Sequence, residues 1–246
     1  MTQPSQSHYY AHDLEAMSAA GNYHRWILEE FAPFLGNRVV EVGAGSGAFS
    51  ELLLGQSIQS LAAFEPSDNL FPTLAANLGG DRRARAFHAI LEDRVEEIRG
   101  QCDCVLYVNV LEHVEDAPRE LELVQTALVA GGHVCIFVPA LTWLYSELDR
   151  KLGHFRRYHR APLRQVVEHA GFEIIKLKYF DLPGILPWYL AFTLLRGSFS
   201  RGKVSLYDRL IVPLARSVER RWPPPVGKNL LCVARKPPVG TPPNEQ

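Results

Sequence analysis

Residues 38–55 constrain the chain more than any other stretch. Arg38-Val39-Val40-Glu41-Val42 reads as a buried strand, Gly43-Ala44-Gly45-Ser46-Gly47 as a tight turn, and the segment from Ala48 as a helix that stops at Gly55. Glycines adopt backbone angles that a Cβ forbids and let the chain approach a ligand closely. The helix start behind them offers unpaired N–H groups to a polar or anionic group. Glu65 ends the next strand, 18 positions after Gly47, where an acid can accept both hydroxyls of a ribose.

The rhythm then repeats. Leu61–Phe64 predicts a strand, 68–78 a helix, Arg85–His88 a short strand and 91–99 a helix. Cys104–Val108 predicts a strand, 117–129 a helix closed by Gly131-Gly132, and His133–Val138 a strand ended by Pro139. Strands alternating with helices of this kind make a parallel sheet covered on both faces. Ahead of it, residues 8–35 read as one or two helices closed by Pro33 and Gly36. Beyond Pro139 the rhythm changes to a polar, aromatic and basic connection over 140–160, a helix over 162–170 and a strand over Phe172–Phe180. A Pro-, Leu- and Arg-rich stretch over 182–226 follows, and Leu230–Ala234 is a last strand. The expected division within one domain is an N-terminal helical cap (1–37), a ligand-binding core (38–181), a helical lid or insertion (182–226), a last strand (227–236) and a disordered tail (237–246).

With 47% hydrophobic and 22% charged residues, the composition is globular. The net charge of −1 conceals an asymmetry. Residues 1–149 hold 8 arginines, no lysine and 21 acids, a net of −13; residues 150–246 hold 18 basic and 6 acidic residues, a net of +12. Either the second part meets an anionic partner or the two parts attract each other. Cys102, Cys104, Cys135 and Cys232 form no C-x-x-C pair, and no Cys/His cluster has zinc spacing. They are expected as buried thiols in a reducing compartment, with no bound metal. The N-terminus lacks a basic segment followed by an apolar one, so a cytoplasmic protein is expected. The apolar run Ile185–Leu195 is far short of the roughly 20 residues that span a bilayer.

Gly43, Gly45 and Ala48 with Glu65 also fit a dinucleotide fingerprint, so a nicotinamide or flavin oxidoreductase competes. Against it, Glu41 suits an ammonium better than a pyrophosphate, Gly47 keeps the turn open, and the fourth strand continues the crevice through Asn109-Val110-Leu111-Glu112-His113-Val114. A binding protein that keeps the fold without catalysis is a third class.

In E-V-G-A-G-S-G (41–47), F-E-P-S (64–67), C-V-L-Y-V-N-V-L-E-H-V-E-D (104–116) and A-G-G-H-V-C-I-F-V-P (130–139), the chain resembles the class I methyltransferases that use S-adenosylmethionine. The resemblance implies a Rossmann-like, doubly wound α/β sheet of seven strands, mostly parallel with a final antiparallel strand, plus N-terminal helices and a C-terminal helical cap. It implies S-adenosyl-L-methionine as cofactor and S-adenosyl-L-homocysteine as product. Gly43, Ala44, Gly45 and Gly47 would wrap the methionine part and Glu41 its amino group. Glu65 would take the ribose, with Pro66 and Ser67 beside the adenosine. Leu91 and Glu92 would flank the adenine, where this chain departs from the family's acid-then-alanine pattern. Asn109, Val110 and Leu111 would line the cofactor beneath the sulfonium. Tyr23, on the helix that closes over the cofactor in similar enzymes, would pack nearby with Trp26.

A second stretch, D-R-K-L-G-H-F-R-R-Y (149–158), resembles a bacterial subgroup with a G-H-x-R-R-Y signature after the fifth strand. Arginine forks recognise carboxylate or phosphate, so Arg156, Arg157 and Tyr158 are candidates to bind an acceptor. His154 and His113 are candidate bases. The alternative is that both arginines pair with local acids such as Glu147 and Asp149 while His154 packs. The expected reaction is O-methylation of a small or lipid-linked, anionic acceptor, with N- or C-methylation as the alternative. Trp188, Tyr189, Phe192, Leu194 and Leu195, with Arg196, Arg201, Lys203 and Arg209, could form a lid, a homodimer interface or a peripheral membrane contact at the inner face. No nucleic-acid partner is expected: Asn109-Val110-Leu111-Glu112 stands where amino-methylating DNA enzymes carry N-P-P-Y.

Overall fold

The computed structural model describes residues 20–194 and 201–238. The expected structure of residues 1–19, Leu195, Arg196 and the tail from 239 lies outside these residues. Strands β1 (Arg38–Val42), β2 (Ser60–Phe64), β3 (Ala84–Phe87), β4 (Cys102–Val108), β5 (Leu128–Pro139), β6 (Glu173–Phe180) and β7 (Asn229–Arg235) form one sheet. Their spatial order is β3-β2-β1-β4-β5-β7-β6. The first five pair in parallel, and β7 runs antiparallel between β5 and β6. The helices are α1 (Gly21–Phe31), α2 (Ala48–Leu54), α3 (Phe71–Leu78), α4 (Leu91–Arg94), α5 (Ala117–Ala127), α6 (Glu147–Lys151), α7 (Arg160–His169), α8 (Ile185–Trp188) and α9 (Arg201–Glu219).

Side-chain alternation along each strand divides the interior into two cores. Val40, Val105, Tyr107, Val134 and Ile136 face α4, α5 and α7 through Leu91, Leu121, Val124, Leu163 and Val167. Val39, Cys104, Leu106, Cys135 and Phe137 face α1, α2 and α9 through Trp26, Phe31, Leu53, Val212 and Ala215. Burial on both faces is why these strands read as continuous apolar runs. All four cysteines are buried free thiols within the sheet. The chain runs outward from β1 to β3 and returns to β4, so the sheet reverses direction between β1 and β4. Ligands of open α/β sheets bind in the crevice at that point, beyond the carboxyl ends of the strands.

Three segments differ from the sequence expectation. Helix α5 stops at Ala127 because Leu128 is already extended, with φ −76° and ψ 143°. Leu128–Gly132 then joins the sheet, with an irregularity opposite Cys102 and Cys104, rather than closing the helix. Residues 91–99 split into α4 and a 3-10 turn over Val95–Ile98. The connection after β5 contains α6, which begins at a capping box of Ser146 and Asp149. In the inserted segment, α8 continues into a π-helical turn over Tyr189–Leu194. No helix among the described residues is long and apolar enough to cross a membrane.

Acids tie α9 to α1 and to the chain just after β6, and α1 to β6. Asp208 of α9 accepts hydrogen bonds from the N–H groups of Asn22 (3.0 Å) and Tyr23 (2.8 Å), capping α1 from a distant part of the chain. Glu219, at the other end of α9, accepts the N–H groups of Asp181 (3.0 Å) and Leu182 (2.9 Å). Lys176 and Lys178 of β6 both pair with Glu30 of α1, at 2.6 and 2.7 Å.

Candidate active site

The glycine turn leaves β1 with Gly43, Gly45 and Gly47 at φ 68°, 59° and 93°. Two of these glycines do different work. A Cβ on Gly43 would stand 2.5 Å from Val110 Cγ2, so the β1 and β4 exits meet there without room for a side chain. A Cβ on Gly45 would meet nothing within 4 Å, so this turn opens onto free space at the crevice. The Ala44 N–H donates to Phe64 O at 2.9 Å, which locks the turn against the end of β2.

Two carboxylates border that space. Glu65 is buried and accepts the Gly45 N–H (2.8 Å) on Oε2 and the Ser67 N–H (2.9 Å) on Oε1. Each oxygen keeps a second lone pair for a hydroxyl. Beside it the buried Ser67 hydroxyl has no hydrogen-bond partner. Glu41 is buried and accepts a hydrogen bond from Ser50 Oγ. Burial pushes its pKa up to about 8; the Ser50 bond opposes this and the nearby Glu65 adds to it. A group that is neutral when solitary becomes a strong anchor once an ammonium arrives. The cradle fits a nucleoside that carries a cationic amino acid: open backbone at Gly45, a ribose acid, an unpartnered hydroxyl and a buried second acid.

The third-strand loop is less open. Leu91 is fully buried in the core, Glu92 is exposed, and Pro66 is exposed at the rim. From β4, Asn109 adopts φ 55° and its N–H donates to Phe137 O at 2.8 Å. That left-handed residue turns the chain so that Val110 packs on Gly43 and Leu111 is buried below. Tyr23 lies on the other side of β4. Its hydroxyl bonds Asn229 Oδ1 at 3.0 Å, its ring meets Phe137 and Phe180 edge-on, and Lys228 Nζ lies 5.0 Å from the ring centre.

The loop 153–158 folds back onto the β4 exit. The Phe155 N–H donates to Glu112 O at 2.9 Å, and the Tyr158 N–H to Pro139 O at 2.9 Å. His154 thereby meets His113 edge-to-face, with ring centres 4.6 Å apart. His154 Nδ1 bonds Asp149 Oδ1 at 2.9 Å. Arg157 does not reach toward the crevice. It is buried, with Nε 2.8 Å from Asp149 Oδ1 and Nη2 3.1 Å from Oδ2, and donates to Ala140 O. Burial alone would raise the Asp149 carboxyl; the hydrogen bond from His154 and the Arg157 charge outweigh it and hold it at about 2. Tyr158 is a core residue whose hydroxyl approaches Leu111 O at 3.4 Å, and burial pushes its pKa to about 12. Arg156 stays partly exposed and donates to Glu115 O at 2.7 Å. Burial, with His154 beside it, drives the His113 pKa down to about 3, so its ring is neutral. Glu112, which sequence reasoning passed over as part of a strand-end motif, is fully buried beside both histidines. Trp188 of α8 lies between Arg157 and Lys228, 4.7 and 5.5 Å from its ring. The sequence singled out Trp188 only as part of a lid, an interface or a membrane contact; for Glu112, its adjacency to His113 at a strand end was the available signal.

The sequence model of a methyltransferase-domain family matches residues 10–177. The ubiquinone biosynthesis O-methyltransferase of Caulobacter vibrioides is 34% identical over 112 residues, which are 45% of this chain and 43% of that protein. The chain thus matches less than half the length of that relative. A SAM-dependent methyltransferase from Archaeoglobus fulgidus superposes with a TM-score of 0.59 at 19% identity, over 85% of this chain and 91% of its own. An S-adenosylmethionine-dependent methyltransferase from Mesorhizobium loti superposes with a TM-score of 0.56 at 18% identity, over 88% and 97%. At such identities the superpositions establish the fold. The family match covers the glycine turn, both acids and the β4 exit; the chain belongs to the methyltransferase-domain family and carries the Rossmann-like sheet of S-adenosylmethionine-dependent methyltransferases.

Proposed function

We propose that the chain transfers a methyl group from S-adenosylmethionine to an oxygen of a small or lipid-linked acceptor that bears an anionic group. The observation that carries this reading is the open space over Gly45, bordered by the buried Glu41 and Glu65. When bound, the cofactor supplies a methyl group already activated on a sulfonium, so the protein's work is alignment and exclusion of water. Glu41 would hold the amino group, the turn 43–47 the rest of the methionine, Glu65 the ribose hydroxyls, and Asn109 to Leu111 the wall beneath. Leu91 would contribute backbone rather than side chain, since its side chain is spent in the core.

The choice of oxygen rests on the histidines at the β4 exit. His154 is held through Nδ1 by Asp149, so Nε2 is the nitrogen that faces Glu112 and His113. Such a site suits the proton of a hydroxyl. The partly matched relative, by its name an O-methyltransferase, supports the same atom. Arg156 is the cation left to meet an anionic group, because Arg157 is committed to Asp149. Calorimetry should show saturable binding of S-adenosylmethionine and S-adenosylhomocysteine and none of nicotinamide or flavin cofactors. Tight binding of a dinucleotide alone would reverse the reading. In an acceptor screen that detects the demethylated cofactor, Arg156→Ala should raise KM for the acceptor and leave cofactor affinity unchanged.

The lipid part of the proposal comes from α9. Leu206, Leu210, Leu214 and Val218 recur every four residues and are exposed, as is Trp222 just beyond. Lys203, Arg209, Arg220 and Arg221 lie nearby, also exposed. An apolar stripe beside cations is the pattern of a helix resting on an anionic membrane surface. Co-sedimentation with anionic liposomes at low salt should recover the protein, and Leu210→Glu with Leu214→Glu should abolish it. Equal recovery of the altered protein would leave only non-specific charge attraction.

A further inference from the structure

We infer that Glu112, His113 and His154 form a binding site for a divalent first-row metal ion of the zinc or manganese class. One ligand atom from each lies within 4.8 Å of the others, although the third residue arrives from a loop beyond β5. Glu112 Oε1 stands 3.9 Å from His154 Nε2. That is too far for a hydrogen bond; a tetrahedral ion about 2.1 Å from each would hold the two atoms roughly 3.4 Å apart, so a small inward movement of the side chains closes the site.

Glu112 carries the argument. It is fully buried, and neither of its carboxylate oxygens has a hydrogen-bond partner. Such a group is costly to bury alone. A shared cation would satisfy both oxygens at once. The imidazoles are prepared for the same task. Metal-binding histidines usually carry their second nitrogen against a carboxylate or a backbone carbonyl, which fixes the ring. His154 Nδ1 lies 2.9 Å from Asp149 Oδ1, and the His113 ring makes its own hydrogen bond with the Gly153 backbone. Asp149 is a positioning residue and not a ligand: Arg157 and both donors of Ser146 already occupy it. The buried Arg157 therefore supports His154, which gives the arginine of the loop a role apart from the acceptor.

Two imidazoles and one carboxylate on one side of an ion leave other positions open, and these suit oxygen donors of an acceptor. This last step rests on the methyl-transfer reading; the ion site does not. With an ion present, the histidines would act as ligands and not as free bases.

The test uses the full chain, stripped by chelator and then given Zn²⁺ or Mn²⁺ alone. One ion per chain is expected, by elemental analysis after desalting and by calorimetry. Affinity should fall at least about tenfold in Glu112→Gln and in His154→Asn. In the unaltered protein, Mn²⁺ should broaden the imidazole NMR signals of His113 and His154 and spare His133 at the opposite end of the sheet. That readout identifies the ligands even where a variant fails to fold. No saturable uptake of either ion, undiminished affinity in both folded variants, or broadening of other histidines instead would overturn the site. S-adenosylhomocysteine titrated into the same stripped protein separates the two readings. Thioether binding without ion uptake removes the metal site alone, and ion uptake without thioether binding removes the methyl-transfer reading alone.

Discussion

On the proposed reading, the buried Glu41 would couple cofactor binding to pH. Its folded pKa of about 8 lies far above its ordinary value of 4.5. The folded chain therefore holds a proton that the unfolded chain releases between those pH values. The contribution of Glu41 to stability is full below pH 4.5 and declines as the pH rises toward 8, because the unfolded state gains the ionisation that burial denies the folded one. Glu41 should therefore lower the melting temperature of the cofactor-free protein over this window, and Glu41→Gln, a neutral isostere, should make the decline shallower without removing it, because burial also pushes Glu112 up to about 7. Binding of the cofactor's ammonium should expel the proton. Calorimetry at pH 7 in buffers of different ionisation enthalpy would show proton release, absent in the variant. At the glycines the outcomes should part. Gly43→Ala meets Val110 at 2.5 Å as well as an unfavourable φ, and should lower stability by about 2–4 kcal/mol in urea unfolding. Gly45→Ala meets no neighbour, so it should cost about 1–2 kcal/mol from backbone strain and show its main effect as weaker cofactor binding. Arg157→Ala leaves the fully buried Asp149 carboxylate without its charge partner and should cost about 3–5 kcal/mol. Arg156→Ala, whose side chain holds a single backbone bond near the surface, should leave stability almost unchanged.

Among elements, α1 depends on a helix that follows it by most of the chain. Its own N-terminal residue, Ala20, offers no side-chain cap, and Asp208 of α9 supplies one to the N–H groups of Asn22 and Tyr23. Asp208→Ala should reduce stability by about 1–2 kcal/mol in urea unfolding. Backbone hydrogen exchange should rise at Asn22 and Tyr23 before it rises in β4 and β5, since the cap can open without the sheet. Undisturbed protection at those two residues would show that α1 is held by its apolar face alone. That face is substantial: Trp26, Ile27, Leu28 and Phe31 are all buried. The sequence displayed the apolar face of α1 but not its cap, because the acid that makes the cap lies 186 residues further along the chain. The same limit applies at α5, where helical and extended preferences compete over Leu128 to Gly132 and pairing with β4 decides for the strand.

Across the whole molecule, the opposed charges of the two parts meet each other in several places. Glu29 and Glu30 pair with Arg216, Lys176 and Lys178, and Asp149 with Arg157. The exposed pairs contribute little each, and among the described residues Lys203, Arg209, Arg220 and Arg221 stay exposed outside any of these pairs. The glycine turn, the two acids, the strand–helix alternation and the Asn109 exit were legible in the chain because each is local: a period, a spacing or a residue type that the backbone requires. Those features determined the sheet and the crevice beyond the carboxyl ends of β1 and β4. Tertiary structure alone decided that Arg157 turns inward to Asp149 and Tyr23 toward β5, β6 and β7, and that Glu112 lies unpartnered beside His113 and His154. Burial and pairing across the sheet set those choices, and both depend on groups brought together from distant segments, which linear spacing does not encode.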